Sequence, residues 1–147
     1  MSKEIISASI LNADFSHLED QIREAESAGI DWIHLDIMDG HFVPNMSYGP
    51  PIASVCRKIS NLPIDTHLMI EKPDDFIQSF AEAGSNKISV HIEGNPHIHR
   101  TLQNLIELGV SPGIVINPGT SVESINSVLH MVDYVSVSYT HLPSPRD

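Results

Sequence analysis

The sequence predicts an α/β fold: an incomplete TIM-type (β/α)8 barrel, present as about six of its eight βα units, with parallel strands. Three observations carry that reading. Short apolar, β-branched runs alternate with amphipathic helical segments. Gly29, Gly84 and Gly109 each close a helical segment shortly before the next apolar run. Polar residues gather at the C-terminal ends of several runs. A helix, a glycine stop and a new strand, repeated, imply parallel strands joined by right-handed crossovers. An open doubly wound sheet is the competing arrangement. No G-x-G-x-x-G follows the first strand, which removes its usual dinucleotide-binding form, and polar strand ends are what a barrel site requires.

The first strand is expected at 5–10. Ser16 and Glu19 then form a capping box for a helix that stops before Gly29. A second strand at 32–36 leads to a weaker helical pattern at 49–58, where Pro50 and Pro51 crowd the start. After a third strand at 64–69, Pro73 suits a first helical position, Asp74 and Asp75 occupy the favourable first turn, and Gly84 ends the helix. The fourth strand, 87–91, is followed by a helix opened by Asn95-Pro96 and closed by Gly109. A fifth strand at 113–116 precedes a short helix boxed by Thr120 and Glu123 and ending near Met131; the sixth strand is 134–137.

With 147 residues the chain has room for one domain, and 41% hydrophobic against 18% charged residues argues against disorder. The net charge of −11 repels phosphate backbones and anionic lipid, so neither nucleic acid nor a membrane surface is expected as a partner. A phosphate would have to be held by local backbone N–H groups. No apolar stretch approaches the roughly 20 residues of a membrane span, and the N-terminus has no signal-peptide core. Cys56 is the only cysteine, which permits neither an internal disulfide nor a cysteine-built zinc site and suits a reducing, cytoplasmic setting. Its expected role is that of a small buried hydrophobe on a helix. Residues 1–137 are read as the partial barrel, and 138–147, which carry no periodic pattern, as an irregular tail.

Alternation along a strand puts His34 and Asp36 on one face, near its C-terminal end, and His67 at the matching end of the next strand. Converging strand ends would gather two imidazoles and one carboxylate, a set suited to Zn²⁺, Fe²⁺, Mn²⁺ or Co²⁺ with coordination positions left for substrate. Spacing alone leaves open that these are separate polar groups bonded to backbone. Met38 and Met69 lie close to the same ends, either lining a site or packing in the core. His91 and Glu93 form a second H-x-E pair, which would extend the metal site, orient its ligands or serve as a structural hydrogen bond. His17, His97, His99 and His130 read as surface residues.

Four blocks then resemble one family in register. Ser7-Ala8-Ser9-Ile10-Leu11-Asn12-Ala13-Asp14-Phe15 is similar to the opening strand of ribulose-phosphate 3-epimerases. His34-Leu35-Asp36-Ile37-Met38-Asp39-Gly40, continuing through Phe42-Val43-Pro44-Asn45, resembles that family's most distinctive block. Thr66-His67-Leu68-Met69-Ile70 and Ile116-Asn117-Pro118-Gly119-Thr120 fit as well. The resemblance implies a ribulose-phosphate-binding TIM barrel with one divalent metal ion, zinc or iron foremost. The implied reaction of the pentose phosphate pathway interconverts D-ribulose 5-phosphate and D-xylulose 5-phosphate by proton abstraction at C3 through an enediolate. By position, His34, Asp36 and His67 would be metal ligands and Asp36 also the proton acceptor. Ser9 and His67 would contact substrate, Met38 and Met69 would line the pocket, and the parent protein would be a homo-oligomer.

Beyond Val137 the family pattern would continue with a methionine and an Asn/Glu-Pro-Gly-Phe-Gly-Gly loop, whereas the chain reads Ser138-Tyr139-Thr140-His141 and onward to Asp147. The second acid, an aspartate ending the family's seventh strand, has no counterpart. The expectation is a C-terminal truncation joined to a processing, cloning or assembly scar, giving an inactive fragment that folds poorly. D-Allulose-6-phosphate 3-epimerase is the enzymatic alternative, and a noncatalytic metal-binding or interaction fragment is the alternative of another class. The Asp-x-Lys-x-x-Asp block of barrels resembling orotidine-monophosphate decarboxylase is excluded, because His34 to Asp39 contains no lysine.

Overall fold

The computed structural model describes residues 4–138; the expectations for the tail beyond Ser138 fall outside them. Six strands alternate with helices: β1 (Ser7–Ser9), α1 (Leu18–Ser27), β2 (Trp32–Met38), α2 (Pro50–Ile59), β3 (Ile64–Met69), α3 (Ile77–Glu82), β4 (Lys87–His91), α4 (Ile98–Glu107), β5 (Ser111–Ile116) and β6 (Tyr134–Val137). All pairings are parallel, and the order β1-β2-β3-β4-β5-β6 follows the chain. Such an order has no reversal point, so right-handed crossovers set every helix on the same side of the sheet. The result is a curled arc of a barrel, with helices outside and a concave inner face.

Alternation along the strands divides the residues between those faces. Ile33, Leu35 and Ile37 of β2, Ile64 and Leu68 of β3, and Ile88 and Val90 of β4 join the buried core with Ala53 and Cys56 of α2 and Leu102 and Leu105 of α4. The intervening His34, Asp36, Met38, Asp65, His67, Met69 and Ser89 line a cavity on the inner side. Cys56 is fully buried, as expected, and burial pushes its thiol up to about 11. No helix among the described residues is long and apolar enough to cross a membrane.

Two caps differ from expectation. Asp14, not Ser16, accepts the Ser16 N–H (2.9 Å) and opens a 3-10 turn at Phe15–His17 before α1. Ser121, not Thr120, accepts the Glu123 N–H and opens a turn at Val122–Ile125. The Thr120 hydroxyl instead donates to Glu93 at 2.6 Å. The short helix expected up to Met131 resolves into two 3-10 turns, the second Leu129–Met131. Pro50 and Pro51 open α2 rather than weaken it, because first-turn positions need no intrahelical N–H bond.

A candidate metal centre on the inner face

β2 and β3 pair with His34 opposite Asp65 and Asp36 opposite His67, so two imidazoles and two carboxylates share neighbouring levels of one face. Ser9, two strand positions above Ser7 on β1, pairs with His34. Its hydroxyl donates to Asp36 Oδ2 at 2.7 Å. Asp36 Oδ1 lies 3.2 Å from His34 Nε2 and 3.4 Å from His67 Nδ1. One ligand atom from each of His34, Asp36 and His67 lies within 4.8 Å of the other two. Ser9, His34, Asp36, Met38, His67 and Met69, the six residues expected at the site, all line one cavity of about 280 Å³.

Each imidazole is backed on its far nitrogen, His34 by a carboxylate and His67 by a second imidazole. His34 Nδ1 is 2.8 Å from Asp65 Oδ2, and the Tyr134 hydroxyl donates to Asp65 Oδ1 at 2.8 Å. His67 Nε2 is 2.8 Å from His91 Nε2, and His91 Nδ1 is 2.9 Å from Glu93 Oε2. Sequence reasoning missed Asp65 and Tyr134. Asp65 was within reach, since it stands two residues before His67 and so shares its face. Tyr134 gave no local signal: its ring crosses from β6 over β5 because Gly113, its register partner, has no side chain. A Cβ there would sit 2.4 Å from Tyr134 Cζ and 2.8 Å from Ser89 Cβ.

Electrostatics follow from the packing. Burial would lower His34, but Asp36 and Asp65 outweigh it and raise the imidazole from 6.5 to about 9. Burial would raise Asp36, but His34 and the Ser9 hydroxyl hold its carboxyl far below the usual carboxylate range. Burial, reinforced by His67, depresses His91 to about 4 against the pull of Glu93, so that imidazole is neutral. The expected surface histidines His17, His97, His99 and His130 are exposed and take no part.

An imidazole–carboxylate–imidazole triad whose rings are each fixed by a second hydrogen bond, facing a cavity of small-molecule size, has the chemistry to hold one divalent ion. The sequence from residue 5 to residue 141 matches the profile described as "Ribulose-phosphate 3 epimerase family". The chain belongs to this family. Among its relatives, the ribulose-phosphate 3-epimerase of Aquifex aeolicus (strain VF5) is 52% identical over 132 residues, which cover 90% of this chain and 60% of the relative. The ribulose-phosphate 3-epimerase of Bacillus subtilis (strain 168) is 49% identical over 130 residues, covering 88% of this chain and 60% of its own length. The chain thus spans about 60% of the length of these curated relatives. Among solved structures, a tryptophan synthase subunit alpha from Legionella pneumophila str. Paris superposes with a TM-score of 0.63 at 16% identity, covering 96% of this chain and 64% of that one. Yersinia pestis DHPS superposes with a TM-score of 0.61 at 11% identity, covering 87% and 51%. At those identities the likeness shows the barrel-type fold alone.

Proposed function

We propose that this chain forms the metal-holding part of an epimerase that interconverts D-ribulose 5-phosphate and D-xylulose 5-phosphate by inversion at C3. The observation that carries the reading is the ionised Asp36 carboxylate, set between His34 and His67 and bonded by Ser9, in the centre of the inner-face cavity. His34, Asp36 and His67 would hold the ion. Bound there, a divalent cation supplies Lewis-acid stabilisation for the negative charge that develops when an α-proton leaves a ketone.

The chain's own groups take the proton from C3; inversion also needs a second acid on the opposite face, which the described residues do not supply. Asp36 accepts the C3 proton, in keeping with the ionised state that its neighbours enforce. Asp65 is the other carboxylate lining the cavity among the described residues, and both its oxygens are committed, one to His34 and one to Tyr134. It therefore orients His34 while Asp36 handles the proton. Ser9 holds Asp36 Oδ2 and stands within the cavity to meet a substrate hydroxyl. His67 contacts substrate as well as the ion. Met38 and Met69 form apolar wall, which keeps water from competing for the carboxylate. The relatives named above carry the pentulose-phosphate activity in their names, which favours that substrate over the hexulose phosphate.

The test is exchange of solvent deuterium into C3 of D-ribulose 5-phosphate, with D-allulose 6-phosphate run beside it. It is run on the chain alone and on the chain extended from residue 138 with the remaining segment of the Aquifex aeolicus relative. The extended protein is expected to exchange and invert the pentulose phosphate, and Asp36→Asn to slow it by about 10²–10⁴-fold. An extended, folded protein that leaves C3 untouched, or an Asp36→Asn variant at full rate, would contradict the proposal.

A further inference from the structure

His91 and Glu93 lie outside the triad but meet it. His91 is 4% exposed and is covered by the Phe42 ring, whose centroid is 4.7 Å away. The planes of His67 and His91 are 25° apart and their centroids 5.0 Å apart, with Nε2 to Nε2 at 2.8 Å. A nitrogen–nitrogen distance so much shorter than the centroid separation means that the rings meet edge to edge, each Nε2 in the other's plane. One of the two nitrogens must carry the hydrogen and the other the lone pair.

Glu93 decides which. Its Oε2 is 2.9 Å from His91 Nδ1, while its Oε1 accepts the Asn117 N–H and the Thr120 hydroxyl, each at 2.6 Å. A carboxylate offers no hydrogen, so His91 Nδ1 must carry one. Neutral His91 then has a bare Nε2, which must accept, and His67 Nε2 must donate. That leaves Nδ1 as the His67 nitrogen outside this chain; it lies 3.4 Å from Asp36 Oδ1, a looser contact than the 2.9 Å between His91 Nδ1 and Glu93. The hydrogens converge on Glu93, from Thr120 on one side and from His67 through His91 on the other.

From this we infer that His91 and Glu93 are positioning residues: they fix the tautomer of His67 so that Nδ1 faces Asp36 as a ready ligand. The inference rests on His67 being a metal ligand, as proposed above. Glu93 is the sharper lever. In Glu93→Gln the amide oxygen stays where Asn117 N–H and Thr120 hold it, which turns the amide NH2 toward His91. His91 Nδ1 must then accept, its Nε2 must donate, and His67 is forced to carry its hydrogen on Nδ1. A nearly isosteric change reverses both histidine links and leaves the Asn117 and Thr120 bonds as they were.

The experiment reads imidazole ¹⁵N shifts in the metal-free chain at about pH 8. It also reads zinc affinity by competition with a chromophoric chelator. The parent is expected to show His67 protonated at Nε2 and His91 at Nδ1. Glu93→Gln should exchange both assignments and weaken zinc binding by about 10–100-fold. His91→Gln, which keeps an acceptor beside His67, should retain the parent His67 tautomer, whereas His91→Phe should not. A parent with His67 protonated at Nδ1, or a Glu93→Gln variant with parental tautomers and parental affinity, would overturn the inference. If Glu93→Gln does not fold, the parent tautomers and the His91→Gln and His91→Phe pair still decide it. A parent that shows the expected tautomers but takes no zinc would leave the tautomer control standing and overturn the metal reading.

Discussion

His34 sits between two carboxylates, and the consequence is measurable without any ligand. Its folded value of about 9 exceeds the ordinary 6.5, so the folded metal-free chain binds more protons than the unfolded chain between those values. The stabilisation is fully present below about pH 6.5 and is lost as pH rises through about 9. Urea midpoints of the metal-free chain should therefore fall from pH 6.5 to pH 9.5, and His34→Gln should flatten that slope. An unchanged slope in the variant would place the titrating group elsewhere. The triad was legible from strand alternation and the family block, because three residues needed only face and level to meet. Asp65 obeys the same alternation and was readable from its face, but it stands one residue before the family block that marks His67. Tyr134 was beyond local reading: it reaches Asp65 across two intervening strands, a contact 69 positions apart in sequence.

At the scale of elements, the strands were the readable part. β3, β4 and β6 have the expected bounds, since apolar runs between turn residues define them. β2 runs two residues further, to Met38, where Ser47 joins its end: the hydroxyl donates to the Asp36 carbonyl at 2.6 Å and accepts the Met38 N–H at 3.0 Å. β5 begins earlier, at Ser111, through a Pro112-Gly113 pair that reads locally as a turn. Gly113 is there for the Tyr134 ring, so Gly113→Ala should cost about 1–3 kcal/mol of overpacking and should part Tyr134 from Asp65. Chemical denaturation checks the first, and loss of any stabilising effect of the Tyr134 hydroxyl against Tyr134→Phe checks the second. On the helical side, Leu105 of α4 is fully buried against the outer face of the sheet. Leu105→Ala is expected to cost about 2–5 kcal/mol, read from the denaturation midpoint; a loss under 1 kcal/mol would mean that α4 is not packed as described. Caps were the unreadable part. Asp14 outcompeted Ser16, and Ser121 outcompeted Thr120, because neighbouring residues able to cap differ only in which backbone N–H they reach.

For the whole molecule, the sequential order of the parallel strands does the organising work. It puts the helices and the apolar core on one side and His34, Asp36 and His67 together on the other. With a net charge of −11, the chain offers no general positive field to a sugar phosphate, so a cation at the triad would be the dominant local attraction for an anionic substrate. If these three side chains hold one divalent ion, zinc titration of the metal-free chain followed by thermal unfolding will register it. The expected result is one ion per chain, with stabilisation of about 2.7 kcal/mol when free zinc is a hundred times the dissociation constant, lost in both His34→Ala and His67→Ala. No uptake, or uptake that survives both substitutions, would contradict it.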